Sequence, residues 1–311
     1  MRTIFMGSAA FACPSLDRLI SKRDIELAAV VTQPDRPRGR NLEIAACPVK
    51  SRVESLGIPV LTPVDINAPG SVAALRDCGP DLIVVVAYGQ ILKPAILSMP
   101  PLGCINLHAS LLPKYRGAAP IQWAIANGER ATGVTTQFMN ERMDAGDILL
   151  QRTAAISPDD TAGSLHDKLA SLGAGTLDET VAQIRSGTVE RIPQEEADAT
   201  FAPKLSKSDG RIDWHFPAAV LANRIRAFNP WPACHAEIPE GSGRMVKVLI
   251  ARVERGSGVP GTVLAVTGDG PLIQTGDGAV RLLQVQPEGK KPMTGSDFIR
   301  GCRIAVGDRL G

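Results

Sequence analysis

Four short stretches in the first half of the chain, residues 3–6, 27–31, 82–87 and 104–107, are Val- and Ile-rich and apolar along nearly their whole length. A strand with one wet face alternates apolar and polar residues. Near-continuous apolarity means burial on both faces, as in a parallel sheet with helices on each side. The intervening stretches, 14–22, 49–56 and 71–77, read as crossover helices, so the expected fold is α/β, Rossmann-like and doubly wound. In such a sheet the connections leaving the carboxyl ends of the strands carry the functional groups. Further strands are expected at 133–139 and 148–154. A long helix is expected at 162–185, entered through Ser157-Pro158-Asp159-Asp160-Thr161, whose side chains can cap a helix amino end.

The second half changes character. Residues 186–207 lose periodicity and mix Gly, Pro and acidic residues. Short strand-like runs follow at 246–253, 261–266, 271–274 and 280–285, separated by Gly/Pro/Asp turns. The expected organisation is an α/β domain over 1–188, a linker over 189–206 and a β domain over 207–311. A small barrel fits the last of these.

A chain of 311 residues with 44% apolar residues can build two such cores. No apolar run reaches the ~18 residues of a membrane-spanning helix, and the amino terminus lacks the pattern of a secretory signal, so a cytoplasmic protein is expected. The six cysteines are scattered without metal-ligand or CxxC spacing, which indicates neither a metal site nor a disulfide framework. Net charge is only +2, yet residues 207–311 hold 14 Lys/Arg against 10 Asp/Glu. A modestly basic second domain suits contact with phosphates. Gly7-Ser8-Ala9-Ala10-Phe11 follows the first expected strand but has one glycine where a dinucleotide-binding turn needs three, so no nicotinamide or flavin is expected.

The chemistry concentrates between Cys104 and Gly146. There Asn106-Leu107-His108 precedes Ser110-Leu111-Leu112-Pro113-Lys114-Tyr115-Arg116-Gly117, and Met143-Asp144-Ala145-Gly146-Asp147 follows. Acyl transfer to an amine develops negative charge on a carbonyl oxygen and releases a proton from the attacking nitrogen. Asn106 offers an amide N–H to that oxygen, His108 moves a proton near neutral pH, and Asp144 orients or supports the imidazole. Two residues apart on an extended strand, Asn106 and His108 point to the same side. His166, His215 and His235 have no such partners in sequence.

These segments resemble the methionyl-tRNA formyltransferase family. The resemblance also runs through 30–37, 84–89, Lys204-Leu205-Ser206-Lys207, Gly210-Arg211-Ile212-Asp213-Trp214, 225–232 and 284–291, and so covers nearly the whole chain. It implies 10-formyltetrahydrofolate as formyl donor and co-substrate, initiator methionyl-tRNA as acceptor, no metal, and an OB-like β-barrel in the second domain. It implies folate contacts from Ser110, Leu111, Leu112 and Pro113, and a pterin-receiving segment with Tyr88, Gly89, Ile91 and Leu92. A loop with Arg36, Arg38 and Arg40 would approach the tRNA acceptor stem. Family members often follow the Gly-Arg of that loop with a lysine pair, where this chain has Asn41-Leu42-Glu43. Arg116 and Gly117 are expected to shape their loop. A monomer is expected. Two other classes share part of the pattern: a formyltransferase acting on a nucleotide-linked amino sugar, and a non-catalytic tRNA-binding protein.

Overall fold

The computed structural model describes residues 1–38, 43–301 and 304–311. The chain forms two compact units, neither of them contiguous in sequence: residues 1–120, 131–155 and 166–202 make the first, and 121–130, 156–165 and 203–311 the second.

The first unit is built on seven strands: β1 (Arg2–Gly7), β2 (Glu26–Val31), β3 (Val60–Leu61), β4 (Leu82–Val86), β5 (Cys104–His108), β6 (Ala131–Phe138) and β7 (Ile148–Ala155). Their order across the sheet is β7-β6-β5-β4-β1-β2-β3. From β3 to β5 all pairs are parallel, as continuous apolarity demands, with Val84 and Val86 fully buried on β4. β6 and β7 complete the sheet as an antiparallel hairpin on β5. The strand order reverses between β1 and β4, and a crevice at the carboxyl ends there is where such sheets bind ligands.

Helices α1 (Cys13–Ile20), α2 (Pro48–Val53) and α3 (Pro69–Asp77) each begin with proline in the first turn, where its missing N–H has no intrahelical partner to lose. The long helix α4 (Ala162–Ser186) comes close to β5 at Gly173, where an added Cβ would lie 2.8 Å from Leu107. Thr180 on this helix meets Thr136 of β6 through hydroxyls 2.7 Å apart.

Residues 189–202 belong to the first unit. Ile192 exchanges backbone hydrogen bonds with Ile148, and the short strand Phe201–Ala202 pairs in parallel with Arg116–Gly117.

The second unit is antiparallel: β8 (Cys234–Glu237), β9 (Met245–Glu254), β10 (Val263–Thr267), β11 (Gly270–Gln274), β12 (Ala279–Pro287) and β13 (Met293–Thr294). The order is β8-β9-β12-β11-β10, with β13 on β12, and helix α5 (Ala218–Ala227) lies on β9. Among the described residues no ladder joins the edge strands β8 and β10 to each other, so the strands do not form a closed barrel. Residues 307–311 reach both edges. Gly311 exchanges backbone bonds of 2.7 and 3.1 Å with Glu237 at the β8 edge, while Val263 donates to Asp308 and Leu310 to Gly261 at the β10 edge, each at 2.9 Å.

Glu254 of β9 and Arg281 of β12 form a two-pronged ion pair, with both N···O distances 2.7 Å. The Arg281 guanidinium also donates to Thr267 and to the Gly270 carbonyl. Its hydrogen bond holds the Glu254 carboxyl down to about 2, against an ordinary 4.5. A carboxyl lowered in the folded state stabilises fully above its unfolded pKa and loses that contribution as pH falls through the folded value. Glu254→Gln is therefore expected to lower the melting temperature at pH 7 by several degrees and to weaken its dependence on pH between about 4.5 and 2. Thermal unfolding across that range checks this; parallel curves for variant and parent would remove the pair from the acid response.

Candidate active site

β5 lies between β4 and β6, with Asn106 opposite Val85 on one side and Gln137 on the other. Asn106 is half-buried, and its carboxamide has no hydrogen-bond partner among the described residues. A donor left free on a central strand is available to a ligand.

His108 is buried, and its Nε2 lies 2.9 Å from the Tyr115 carbonyl oxygen. A carbonyl only accepts, so Nε2 carries the hydrogen and Nδ1 is the free nitrogen of the neutral ring. That Nδ1 lies 3.7 Å from Asp144 Oδ2. The gap exceeds a hydrogen bond, leaving the pair in electrostatic contact.

Asp144 comes beside His108 because β6 pairs with β5 and the β6–β7 connection folds back over that end of the sheet. Its backbone is left-handed, with φ of 51°, an arrangement that costs a non-glycine residue about 1 kcal/mol or more. The carboxylate is held at both oxygens: Oδ2 accepts from Gly117 N at 2.8 Å and Oδ1 from Gln137 Nε2 at 3.2 Å. Two residues on, a Cβ on Gly146 would fall 1.6 Å from the Phe138 carbonyl oxygen, so only glycine fits there.

Behind this loop lies a set of side chains that the sequence pattern does not reveal. Gln137 Oε1 accepts from Gly146 N at 3.2 Å. Gln194 Nε2 reaches the carbonyls of Asp144 and Gly146 at 2.8 and 2.7 Å. Gln194 Oε1 accepts from the buried Arg116 guanidinium at 3.0 and 2.8 Å. Arg116 also donates to Glu196 at 2.6 Å, and that bond is the main cause holding the Glu196 carboxyl below its usual range. Arg116 is thus an anchor inside the protein as well as a loop former. Cys104, at the start of the same strand, is pushed up to about 12 by burial, so its thiol stays protonated and is a poor nucleophile.

The loop after β5 is pinned to the hairpin. Ser110 is fully buried, its hydroxyl donates to the Lys114 carbonyl at 2.6 Å, and its own carbonyl accepts from Thr135 Oγ1 at 2.7 Å. Leu112 N donates to Thr135 Oγ1, and Gln151 donates to the Leu112 carbonyl. Leu112 is buried, while Leu111 and Pro113 stay half-open.

At the end of β4, Tyr88 and Leu92 are 2% exposed and belong to the core around β1 and β4. Gly89 and Ile91 face outward, Ile91 at 66% exposure. Burial raises the Tyr88 phenol to about 12. The Tyr88 carbonyl accepts from Ser8 Oγ and Gln33 Nε2, each at 3.3 Å, which ties together the segments leaving β1, β2 and β4 at the switch point. Gln33 Oε1 in turn accepts from Arg36 at 3.2 Å, at the base of a hairpin formed by Arg36–Arg38 and Glu43–Ala45. Arg38 contributes its backbone to that hairpin, and Arg40 lies outside the described residues.

Residues 1–181 match the formyl transferase family and residues 204–303 the formyl transferase C-terminal domain family. The chain is 47% identical over 308 residues to a methionyl-tRNA formyltransferase of Geobacter metallireducens, covering 99% of this chain and 98% of the relative. It is 45% identical over 311 residues to that of Geotalea daltonii, covering 100% and 98%. Among solved structures it is similar in fold to an N-formyltransferase of Helicobacter canadensis in complex with folinic acid and dTDP-3-aminofucose. There the TM-score is 0.65 at 18% identity, with 90% of this chain and 98% of that one covered. Similarity this extensive, from the strand that bears Asn106 and His108 through the antiparallel second unit, places the chain in the methionyl-tRNA formyltransferase family.

Proposed function

We propose that the protein transfers the formyl group of 10-formyltetrahydrofolate to the α-amino nitrogen of methionine esterified to initiator tRNA, as a monomer and without a metal. The observation that carries this reading is the approach of Asp144 to His108, two residues beyond Asn106 on β5, in a chain similar along its whole length to relatives named methionyl-tRNA formyltransferase. All three groups come from one chain.

In this reading Asn106 donates its free amide N–H to the formyl oxygen as the amine attacks and the oxygen gains charge. His108 takes the proton released by the attacking nitrogen at Nδ1, because Nε2 is held by the Tyr115 carbonyl. Asp144, with its carboxylate fixed by Gly117 and Gln137, stabilises the imidazolium. The new C–N bond forms, the bond from the formyl carbon to the folate nitrogen breaks, and the proton passes to that nitrogen. The folate pterin fits the segment after β4, where exposed Ala87 and Gly89 present backbone N–H and C=O groups beside the buried anchors Tyr88 and Leu92. Leu111 and Pro113 are open enough to line the same donor site, with Ser110 and Leu112 holding the loop beneath them.

Residues 1–188 then carry the transfer and 207–311 help hold the tRNA. The second unit is read as an OB-like barrel, in which residues 307–311 supply the missing stave between β8 and β10. Its surplus of basic residues suits phosphates. The sequence segment with Arg36, Arg38 and Arg40 is assigned to the acceptor stem.

The test is a formylation assay with charged initiator and elongator methionine tRNAs and a nucleotide-linked amino sugar as acceptors. Initiator tRNA is expected to be the best acceptor and the sugar inert; the reverse order would overturn the reading. Arg40 extends this test. A planar guanidinium both stacks on a base and donates paired hydrogen bonds, and no lysine pair follows it here. Arg40→Ala is expected to narrow the initiator-to-elongator ratio of kcat/KM with donor KM unchanged. An equal loss with both tRNAs would make Arg40 a general phosphate contact.

A further inference from the structure

We infer that Gln194 is a positioning residue for transfer: with Arg116 as its anchor, it holds the strained loop that presents Asp144 to His108. The inference rests on the proposed role of Asp144.

The orientation of the Gln194 amide is fixed by its neighbours. The Arg116 guanidinium can only donate, and it donates through Nε and Nη2 to one Gln194 atom, which must be the oxygen. The nitrogen then faces the Asp144 and Gly146 carbonyls at 2.8 and 2.7 Å. Its two hydrogens match these two acceptors, and Gln137 Oε1, at 3.2 Å, is a weaker third. The amide therefore clasps the loop on either side of Ala145.

That grip falls where the chain needs holding. Asp144 has φ of 51° without being glycine, and strained backbone of this kind persists only where its surroundings over-determine it. The carboxylate is fixed from the other side by Gly117 and Gln137. Arg116 is 3% exposed, so its charge is not free to reorient in water, and Gln194 and Glu196 are its acceptors. Small displacements at reacting groups are costly, and a misplacement of about 1 Å can lower a rate ~10²-fold. Among the described residues Gln194 makes no hydrogen bond to His108 or Asn106, so its effect must pass through Asp144.

Full-length Gln194→Met keeps the side-chain volume and removes both donors and the acceptor. It is expected to lower kcat about 10- to 100-fold with donor KM little changed. In an Asp144→Asn background the same substitution should cost less than about 3-fold, because the group it positions is already disabled. Equal losses in both backgrounds, a loss confined to KM, or an unchanged kcat would overturn the positioning role while leaving Asp144 in the mechanism. Near-normal turnover of Asp144→Asn alone would instead overturn the reading beneath it, and the positioning role with it. Should Gln194→Met fail to fold, Arg116→Lys keeps the charge and loses the two-pronged grip. It should show the same dependence on Asp144, and independence would count against the inference.

Discussion

Replacing His108 with alanine is expected to lower turnover about 10²–10⁴-fold while leaving affinity for the folate donor near its original value. The imidazole is buried, and the Tyr115 carbonyl fixes Nε2 as its protonated nitrogen. This leaves Nδ1 as the nitrogen proposed to take the proton, within electrostatic reach of Asp144. His166 pairs with Asp167 and His215 with Asp213, and His235 sits against the Ala233 carbonyl. Single-turnover formylation combined with equilibrium titration of the donor separates the two effects. Turnover within a few-fold of the parent would remove His108 from the chemistry.

Asn106→Ala is expected to cost about 10²–10³-fold in kcat through the lost oxyanion donor. The carboxamide has no hydrogen-bond partner among the described residues, so its removal breaks no side-chain bond among them. The strand itself is secured by backbone pairing to β4 and β6. A variant with normal thermal stability, normal donor affinity and slow transfer is the expected phenotype. If the loss appears only as weaker donor binding, Asn106 is a binding residue and the oxyanion donor must be sought elsewhere.

Strand β5 was legible because its candidate site residues and its local structure share one segment. The run at 104–107 appears as Cys104–His108, and the two-residue spacing suffices to put Asn106 and His108 on one side. Asp144 was nameable from its motif, but the route that brings it to His108 is not local. β6 hides polar groups at Thr135, Thr136 and Gln137, each satisfied by a hydrogen bond, so hydropathy understates how buried that strand is. Gln194 left no trace at all. It sits in an aperiodic stretch and acquires meaning only from Arg116, Asp144 and Gly146, dozens of residues away. The segment after β4 illustrates a different limit. Apolar character suits a ligand-lining residue and a core residue equally, and Tyr88 and Leu92 are core. The OB-like barrel was expected from resemblance, and β strands in the right region do not specify how their edges close.

The second unit's use of residues 121–130 and 156–165 bears on how such chains can be recombined. Trp123 donates its indole N–H to the Pro203 carbonyl, Arg226 caps the Ser157 and Asp160 carbonyls, and Gly163 N donates to the Asn229 carbonyl. Each of these bonds joins an early segment to a late one. A chimaera spliced near residue 203 would therefore cut through a folding unit, and graft tolerance should depend on whether the donor relative carries matching partners for Trp123, Ser157 and Gly163. Over evolutionary time the two halves should have travelled together, exchanged as a pair rather than shuffled as interchangeable parts.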